Sequence, residues 1–162
     1  MKIEEIIVTS SNAEKQPYVF LSKGPGVVVI ALDETTDRLF FIREFRHPIA
    51  QNIWQLPAGS LQKKSIASES KKELYEETGI VAKKIKRIGG FFIAPGHENS
   101  YVHVVLATNL DTSALSISFQ ESNETITKVV EVELDEVRRM IRKGELKCGI
   151  SLAALSIFFS RG

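Results

Sequence analysis

The chain has 162 residues, 43% of them hydrophobic and 25% charged, and a formal net charge of +1. That size and mix suit one domain, residues 1–162, with a sizeable core, and the near-neutral balance excludes the basic field of a nucleic-acid binder. Cys148 is the single cysteine, so neither a disulfide framework nor a cysteine metal cluster forms within the chain. No apolar run approaches a membrane span, and Glu4 and Glu5 interrupt the region a secretory leader would need. A cytoplasmic protein without membrane contact is expected.

Residues 3–9 and 18–22 read as strands separated by a polar turn at 10–16. The two acids place the first strand at an edge or half-exposed. Gly24-Pro25-Gly26 breaks the chain. Residues 27–32, VVVIAL, form a continuous β-branched run, the pattern of a strand buried on both faces. A turn at 33–37 leads to a strand at 38–43, and the two runs read as a hairpin with a loop of about five residues. Glu44-Phe45-Arg46-His47-Pro48 follows. Arg43 and Arg46 precede the Pro57-Ala58-Gly59 turn; they are either bidentate phosphate contacts or solvated surface arginines. Residues 53–56 are a short strand.

The spacing predicts a helix over about 65–78, capped by Ser65 or Ser68 and ended by Gly79, with Ala67, Leu74 and Thr78 facing the sheet. A strand over 82–93 bends at Gly89-Gly90, a turn occupies 94–97, and a strand covers 101–107. Residues 108–125 read as a long polar connection carrying Asp111, Glu121 and Glu124; connections of that length are usually functional or mobile. A strand at 126–134, a helix at 135–143 stopped by Gly144, and an apolar helix at 151–160 complete the chain. The last helix must be covered by the sheet or by another subunit. Strands with interspersed helices, without regular βαβ alternation, argue for an α/β fold with a mixed β-sheet flanked by helices.

The informative segment is 56–80, LPAGSLQKKSIASESKKELYEETGI. At about 100° per residue, Glu69, Glu73, Glu76 and Glu77 share one helix face. Like charges at these spacings repel, and Glu76 and Glu77 fall in the last turn, where the helix dipole disfavours anions. A bound hard divalent cation such as Mg²⁺ explains the arrangement; the plain alternative is a solvated acidic helix end.

On Lys72-Glu73-Leu74-Tyr75-Glu76-Glu77-Thr78-Gly79-Ile80 the chain resembles the Nudix hydrolase family. That family's signature is a glycine, five residues, a glutamate, seven residues, then Arg-Glu-apolar-any-Glu-Glu-any-Gly-apolar. Trp54-Gln55-Leu56-Pro57-Ala58-Gly59 is similar to the Trp-Glu-Leu-Pro-Ala-Gly approach of its ADP-ribose pyrophosphatase branch. Glu44-Phe45-Arg46 and Pro95 match further marks of that branch, and the strand order fits the Nudix α/β/α sandwich. The first half departs. The spacing from Gly59 to Glu73 is one residue short, Lys63, Lys64 and Ser65 lie where the early glutamate belongs, and Lys72 replaces the arginine. Glu69 is one replacement for the missing acid.

The resemblance implies hydrolysis of the pyrophosphate bond of a small-molecule nucleotide substrate, with ADP-ribose giving AMP and ribose 5-phosphate as the expected reaction. It implies Mg²⁺, with Mn²⁺ as a substitute, held by Glu73, Glu77, Glu76 and the backbone carbonyl of Ala58. Glu121 or Glu124 would be the general base, with Glu76 a further acid of the site, and Glu98 is another metal contact to test. Arg46 matches the phosphate-contacting arginine, with Arg43 beside it. Trp54, Tyr18 and Phe20 could stack on a base, pack a subunit interface or belong to the core. His47, His97 and His103 show no ligand spacing and read as structural. The branch implies a homodimer sharing its substrate site, with residues 1–22 involved. The altered first half supports a second reading, a Nudix-like module that binds a nucleotide or protein without turnover.

Overall fold

The computed structural model describes residues 1–62, 65–116 and 125–161. In chain order these form β1 (Lys2–Thr9), β2 (Lys15–Ser22), β3 (Gly26–Asp33), β4 (Arg38–Arg46), a 3₁₀ turn (His47–Ile49), β5 (Gln51–Gln55), β6 (Ala58–Ser60), α1 (Ile66–Thr78), β7 (Val81–Phe92), β8 (Tyr101–Asp111), β9 (Ile126–Glu133), α2 (Leu134–Arg142) and α3 (Gly149–Phe159).

β3 is the centre. Its residues Val27 to Ala31 are at most 1% exposed, as the unbroken apolar run requires. It pairs in parallel with β8, so the sheet is mixed: β5-β4-β3-β8-β7, with β6 beside β3 and β9 beside β4. Alternate residues of β3 serve opposite faces. Val28 and Ile30 pack with Val137 and Met140 of α2 and Ala154 and Leu155 of α3. Val29 and Ala31 pack with Leu74 of α1, Phe40, Ile80 and Ala107. The α/β/α sandwich follows from that alternation. Burying a leucine stabilises by about 1.5–3 kcal/mol, while each like-charge pair costs only a few tenths, so α1 folds onto the sheet despite its acids. The sheet itself covers the apolar α3, which lies on β3 and β7.

Several boundaries differ from expectation. β6 forms only by pairing with residues 26–28 of β3. β8 continues to Asp111, beyond the predicted end at 107, because Val81 and Ala82 extend its ladder with β7. The link from β3 to β4 is tighter than predicted, with Asp33 paired directly to Arg38. Ala67 is exposed, and Ser70 takes the sheet-facing position with Leu74 and Thr78. Its hydroxyl is satisfied within the helix, donating to the Ile66 carbonyl at 2.7 Å. The register shift between Arg87 and Gly89 is the expected bend in β7.

β1 and β2 form a separate two-stranded sheet, more exposed than predicted, with Ile3, Ile7 and Val19 each more than half exposed. The β7–β8 connection holds this hairpin: Leu21 N–H donates to the His97 carbonyl at 2.8 Å, and Lys23 N–H to Asn99 Oδ1 at 2.9 Å. No helix among the described residues is long and apolar enough to cross a membrane.

Candidate active site

The site begins with the 56–60 turn. Leu56 N–H donates to Ser151 Oγ of α3, and the Pro57 carbonyl accepts from Val29 N–H at 2.8 Å, so both sides of the turn are fixed to the core. The helix that follows starts where Ser65 Oγ accepts the Ser68 N–H. It ends at Gly79, whose φ of 74° suits glycine and whose N–H donates to the Tyr75 carbonyl. The turn and the helix then meet through two contacts. Ala58 N–H donates to Glu77 Oε2 at 3.1 Å. The Glu73 carboxyl lies directly on Gly59, in space that any β-carbon at residue 59 would fill.

Of the predicted acidic face, Glu69, Glu73 and Glu77 are buried (1%, 8% and 3% exposed), and Glu76 stands at the rim. Lys72 is the unexpected centre. Its ammonium lies 2.9 Å from Glu76 and 3.8 Å from both Glu69 and Glu73. The hydrogen bond to Glu76, followed by the charges of Glu73, Glu76 and Glu69, raises the lysine above its ordinary pKa, so it stays charged at neutral pH. Glu69 Oε2 is buried and has no hydrogen-bond partner among the described residues. An unpartnered buried acceptor costs about 1–3 kcal/mol, more when ionised.

These residues fit a hard divalent cation in donor chemistry: carboxylates, a backbone carbonyl at the turn, and a glycine cradle under Glu73. Among the described residues, no three His, Cys, Asp or Glu side chains stand in a metal-ligating group, and the carboxylates face the Lys72 ammonium.

The arginines separate. Arg46 shares a cavity of about 210 Å³ with Ala58, Gly59, Lys23 and Ser100. Gln55 holds it, accepting from Arg46 Nε and a terminal nitrogen at 3.1 and 3.0 Å while its own amide donates to buried Glu44. Glu44 also pairs with Arg46 at 3.1 Å. Sequence reasoning missed Gln55; the available signal was an acid, Glu44, on a core strand without an assigned partner. Arg43 and Trp54 pair across β4 and β5 on the opposite face, with the guanidinium 5.5 Å from the indole centroid. Trp54 lines a different groove, of about 610 Å³, with Lys128, Glu136 and Arg139. Arg43 and Trp54 therefore stand apart from the glutamates and Arg46.

Glu98 pairs with Lys23 at 2.9 Å. Tyr18 and Phe20 lie outside the core clusters and line an apolar hollow of about 390 Å³ with Ile6, Phe92 and Pro95. His47 packs edge-on against Phe45. His97 uses its backbone to hold β2. His103 accepts from Arg87 at 3.1 Å, and burial followed by the Arg87 charge holds it below the ordinary histidine pKa. Glu121 and Glu124 lie outside the described residues.

Residues 22–148 match the model of the NUDIX domain family. The chain is 30% identical over 145 residues to the ADP-ribose pyrophosphatase of Bacillus subtilis (strain 168), a match covering 89% of this chain and 76% of that protein. It is 27% identical over 136 residues to the ADP-ribose pyrophosphatase of Mycobacterium tuberculosis, covering 80% and 62%. A methanol dehydrogenase activator of Bacillus methanolicus is 22% identical over 144 residues, covering 88% and 75%. Among solved structures, an ADP compounds hydrolase superposes with a TM-score of 0.82 at 18% identity, covering 98% of this chain and 84% of that one.

Proposed function

This chain belongs to the NUDIX family and is a hydrolase, and from that premise we propose that it cleaves the pyrophosphate bond of a nucleoside diphosphate derivative, with ADP-ribose giving AMP and ribose 5-phosphate as the leading reaction. One observation carries the reading: the glutamate face of α1 is seated on the Ala58-Gly59 turn by the Glu77 hydrogen bond and the Glu73 cradle. The matches to two ADP-ribose pyrophosphatases support the choice of substrate.

Glu73, Glu76, Glu77 and the Ala58 carbonyl would hold Mg²⁺, or Mn²⁺ in its place. When bound, such an ion neutralises phosphate charge and lowers the pKa of water. The chain's own groups do the rest. Arg46, oriented by Gln55 and Glu44, offers a planar donor to a phosphate oxygen beside the turn. The buried carboxylates make the site repel an anionic substrate until they are neutralised, which ties substrate binding to cation binding. Glu121 or Glu124 is the proposed base for the attacking water.

Phosphate release from AMP through a coupled phosphatase, with Mg²⁺ or Mn²⁺, tests the reaction on ADP-ribose and a panel of diphosphate nucleosides. Glu77→Gln is expected to lose activity by at least about 100-fold. Absence of turnover with either metal across the panel, with nucleotide still bound, would instead favour the binding-module reading. The altered first half of the motif and the likeness to a protein named as an enzyme activator support that second reading.

A homodimer is also proposed, supported by the exposed apolar residues of β1 and β2. Sedimentation at micromolar concentration would find a species of twice the 18.1 kDa chain mass; a monomer there rejects the proposal.

A further inference from the structure

Lys23 is a cation at the site with no role so far. It lines the cavity of about 210 Å³ that also holds Arg46, Ala58 and Gly59; among the described residues of that lining these two are the charged ones, and none is an acid. The sheet puts Lys23 there. Gly26 pairs with Ser60 across β3 and β6, and the Pro25 carbonyl accepts from Leu61 N–H at 2.8 Å, so the chain leaving Lys23 runs beside the Ala58-Gly59 turn. Ser100 lines the same cavity, is 2% exposed, and its Oγ has no hydrogen-bond partner among the described residues. Two cations, an unused hydroxyl and no acid make a lining suited to an anion.

The two cations are held in the same way. Arg46 pairs with Glu44 at 3.1 Å, the arginine side chain 45% exposed and the carboxylate 9%. Lys23 pairs with Glu98 at 2.9 Å, with 38% and 8% exposed. In each pair the acid is enclosed and the cation reaches solvent. Backbone donors already fasten the hairpin beside Lys23: Leu21 N–H to the His97 carbonyl, Asn99 N–H to the Leu21 carbonyl, and Lys23 N–H to Asn99 Oδ1. An enclosed carboxylate adds a desolvation cost that an apolar contact of similar volume would not carry. What that cost secures is a cation held at the cavity.

We propose that Lys23 is a second phosphate contact of the substrate site, so that Arg46 and Lys23 take one phosphate each of the diphosphate group. A diphosphate esterified at both ends carries one negative charge on each phosphate, which the two cations match. The arginine fork fixes direction, whereas the lysine is a compact point charge that follows a phosphate oxygen. Glu98 is the positioning residue behind Lys23, as Glu44 and Gln55 are behind Arg46. The inference rests on the pyrophosphate-bond reading of the site and adds a residue to it.

The test is ADP-ribose hydrolysis by the full chain with Mg²⁺, read as KM and kcat, beside calorimetric binding of the α,β-methylene analogue of ADP-ribose, which cannot be cleaved between its phosphates. Lys23→Gln is expected to raise KM and the Kd of the analogue about tenfold while kcat stays within about twofold of wild type, the pattern of lost binding rather than lost chemistry. Lys23→Arg keeps the charge and is expected to stay within about threefold of wild type in both. Glu98→Gln keeps an acceptor for Lys23 and removes the negative charge, so it is expected to lower KM and Kd. A pair that serves only to fasten the hairpin would give another result: Lys23→Gln and Glu98→Gln would both melt at lower temperature and both lose affinity. That result overturns the proposal, as does wild-type affinity in Lys23→Gln. Should Lys23→Gln not fold, Glu98→Gln decides, and a KM and Kd that do not fall overturn the proposal. The reading beneath it fails separately. If wild-type protein binds the analogue but hydrolyses no ADP-ribose, the hydrolysis of this substrate is rejected and the Kd of the analogue still judges Lys23. Wild-type protein that does neither overturns both.

Discussion

Helices α1 and α2 each hold a cation among carboxylates, and the two arrangements have opposite consequences. On α2 the acids Asp135 and Glu136 lie in the first turn and Arg139 and Arg142 in the last, the order the helix dipole favours. Arg139 meets Glu136 and Glu145 with all three side chains 34–44% exposed. Its hydrogen bonds hold both carboxyls below the ordinary glutamate range. Exposed pairs of this kind are screened by solvent and contribute little to stability. On α1 the order is reversed: there is no base in the last turn, Glu76 and Glu77 stand near the C-terminus, and Lys72 faces carboxylates of which two are nearly enclosed. The charges of α2 stabilise their helix. On α1 the last-turn acids Glu76 and Glu77 oppose the dipole, and the Lys72 pair with Glu76 offsets part of that cost, so the acids of that turn are placed for something other than helix stability.

The contrast breaks most readily at Gly59. Gly59→Ala puts a methyl group where the Glu73 carboxyl lies, so ADP-ribose hydrolysis is expected to fall by about 100-fold or more with circular dichroism unchanged. Activity within a few-fold of wild type would mean that the seat of Glu73 is not what the site depends on.

A smaller effect is expected from Lys72→Met, measured beside Arg139→Met. The first should tighten Mn²⁺ binding several-fold and lower the metal-free melting temperature by a few degrees, since the carboxylates lose their resident cation. The second should leave Mn²⁺ affinity unchanged. Equal behaviour of the two variants would erase the distinction between the helices.

The smallest effect concerns pH. Glu136 and Glu145 have folded pKa values below their ordinary value, so what they contribute is present above about pH 4.5 and fades as pH falls through the lowered values. Arg139→Gln is expected to flatten that acid limb in denaturant titrations, and high salt should flatten it in wild type as well. Lys72 behaves oppositely. Its raised pKa keeps its contribution through neutral pH, to be lost only in strong alkali.

Much of the fold could be read from residues whose local signals agree with their tertiary role. The apolar run of β3, the Ser65 cap, the Gly79 stop and the period of the glutamates are of this kind. β6 was illegible because three small residues have no period; their strand exists only through β3. Alternation along β4 and β5 separates Arg43 and Trp54 from Arg46 and Gln55, but only the packed sheet tells which face meets α1. The central place of Lys72 was hidden for a similar reason. Its spacing from Glu69 and Glu76 was visible, while the burial of Glu69 and Glu73 depends on the turn packed against them.

The parallel pairing at the centre of the sheet sets an order in time. Val28 pairs with Val104, and β4, β5, β6, α1 and β7 all lie in the stretch of chain between them. Contacts between such distant residues form slowly, because a long loop must close before they are rewarded. The turn is fastened to β3 and the helix is packed on the sheet that β3 and β8 create, so the carboxylates are expected to meet their cradle late in folding. Gly59→Ala should then act on the unfolding limb of the kinetics, shortening the lifetime of the native site while leaving the folding rate nearly unchanged.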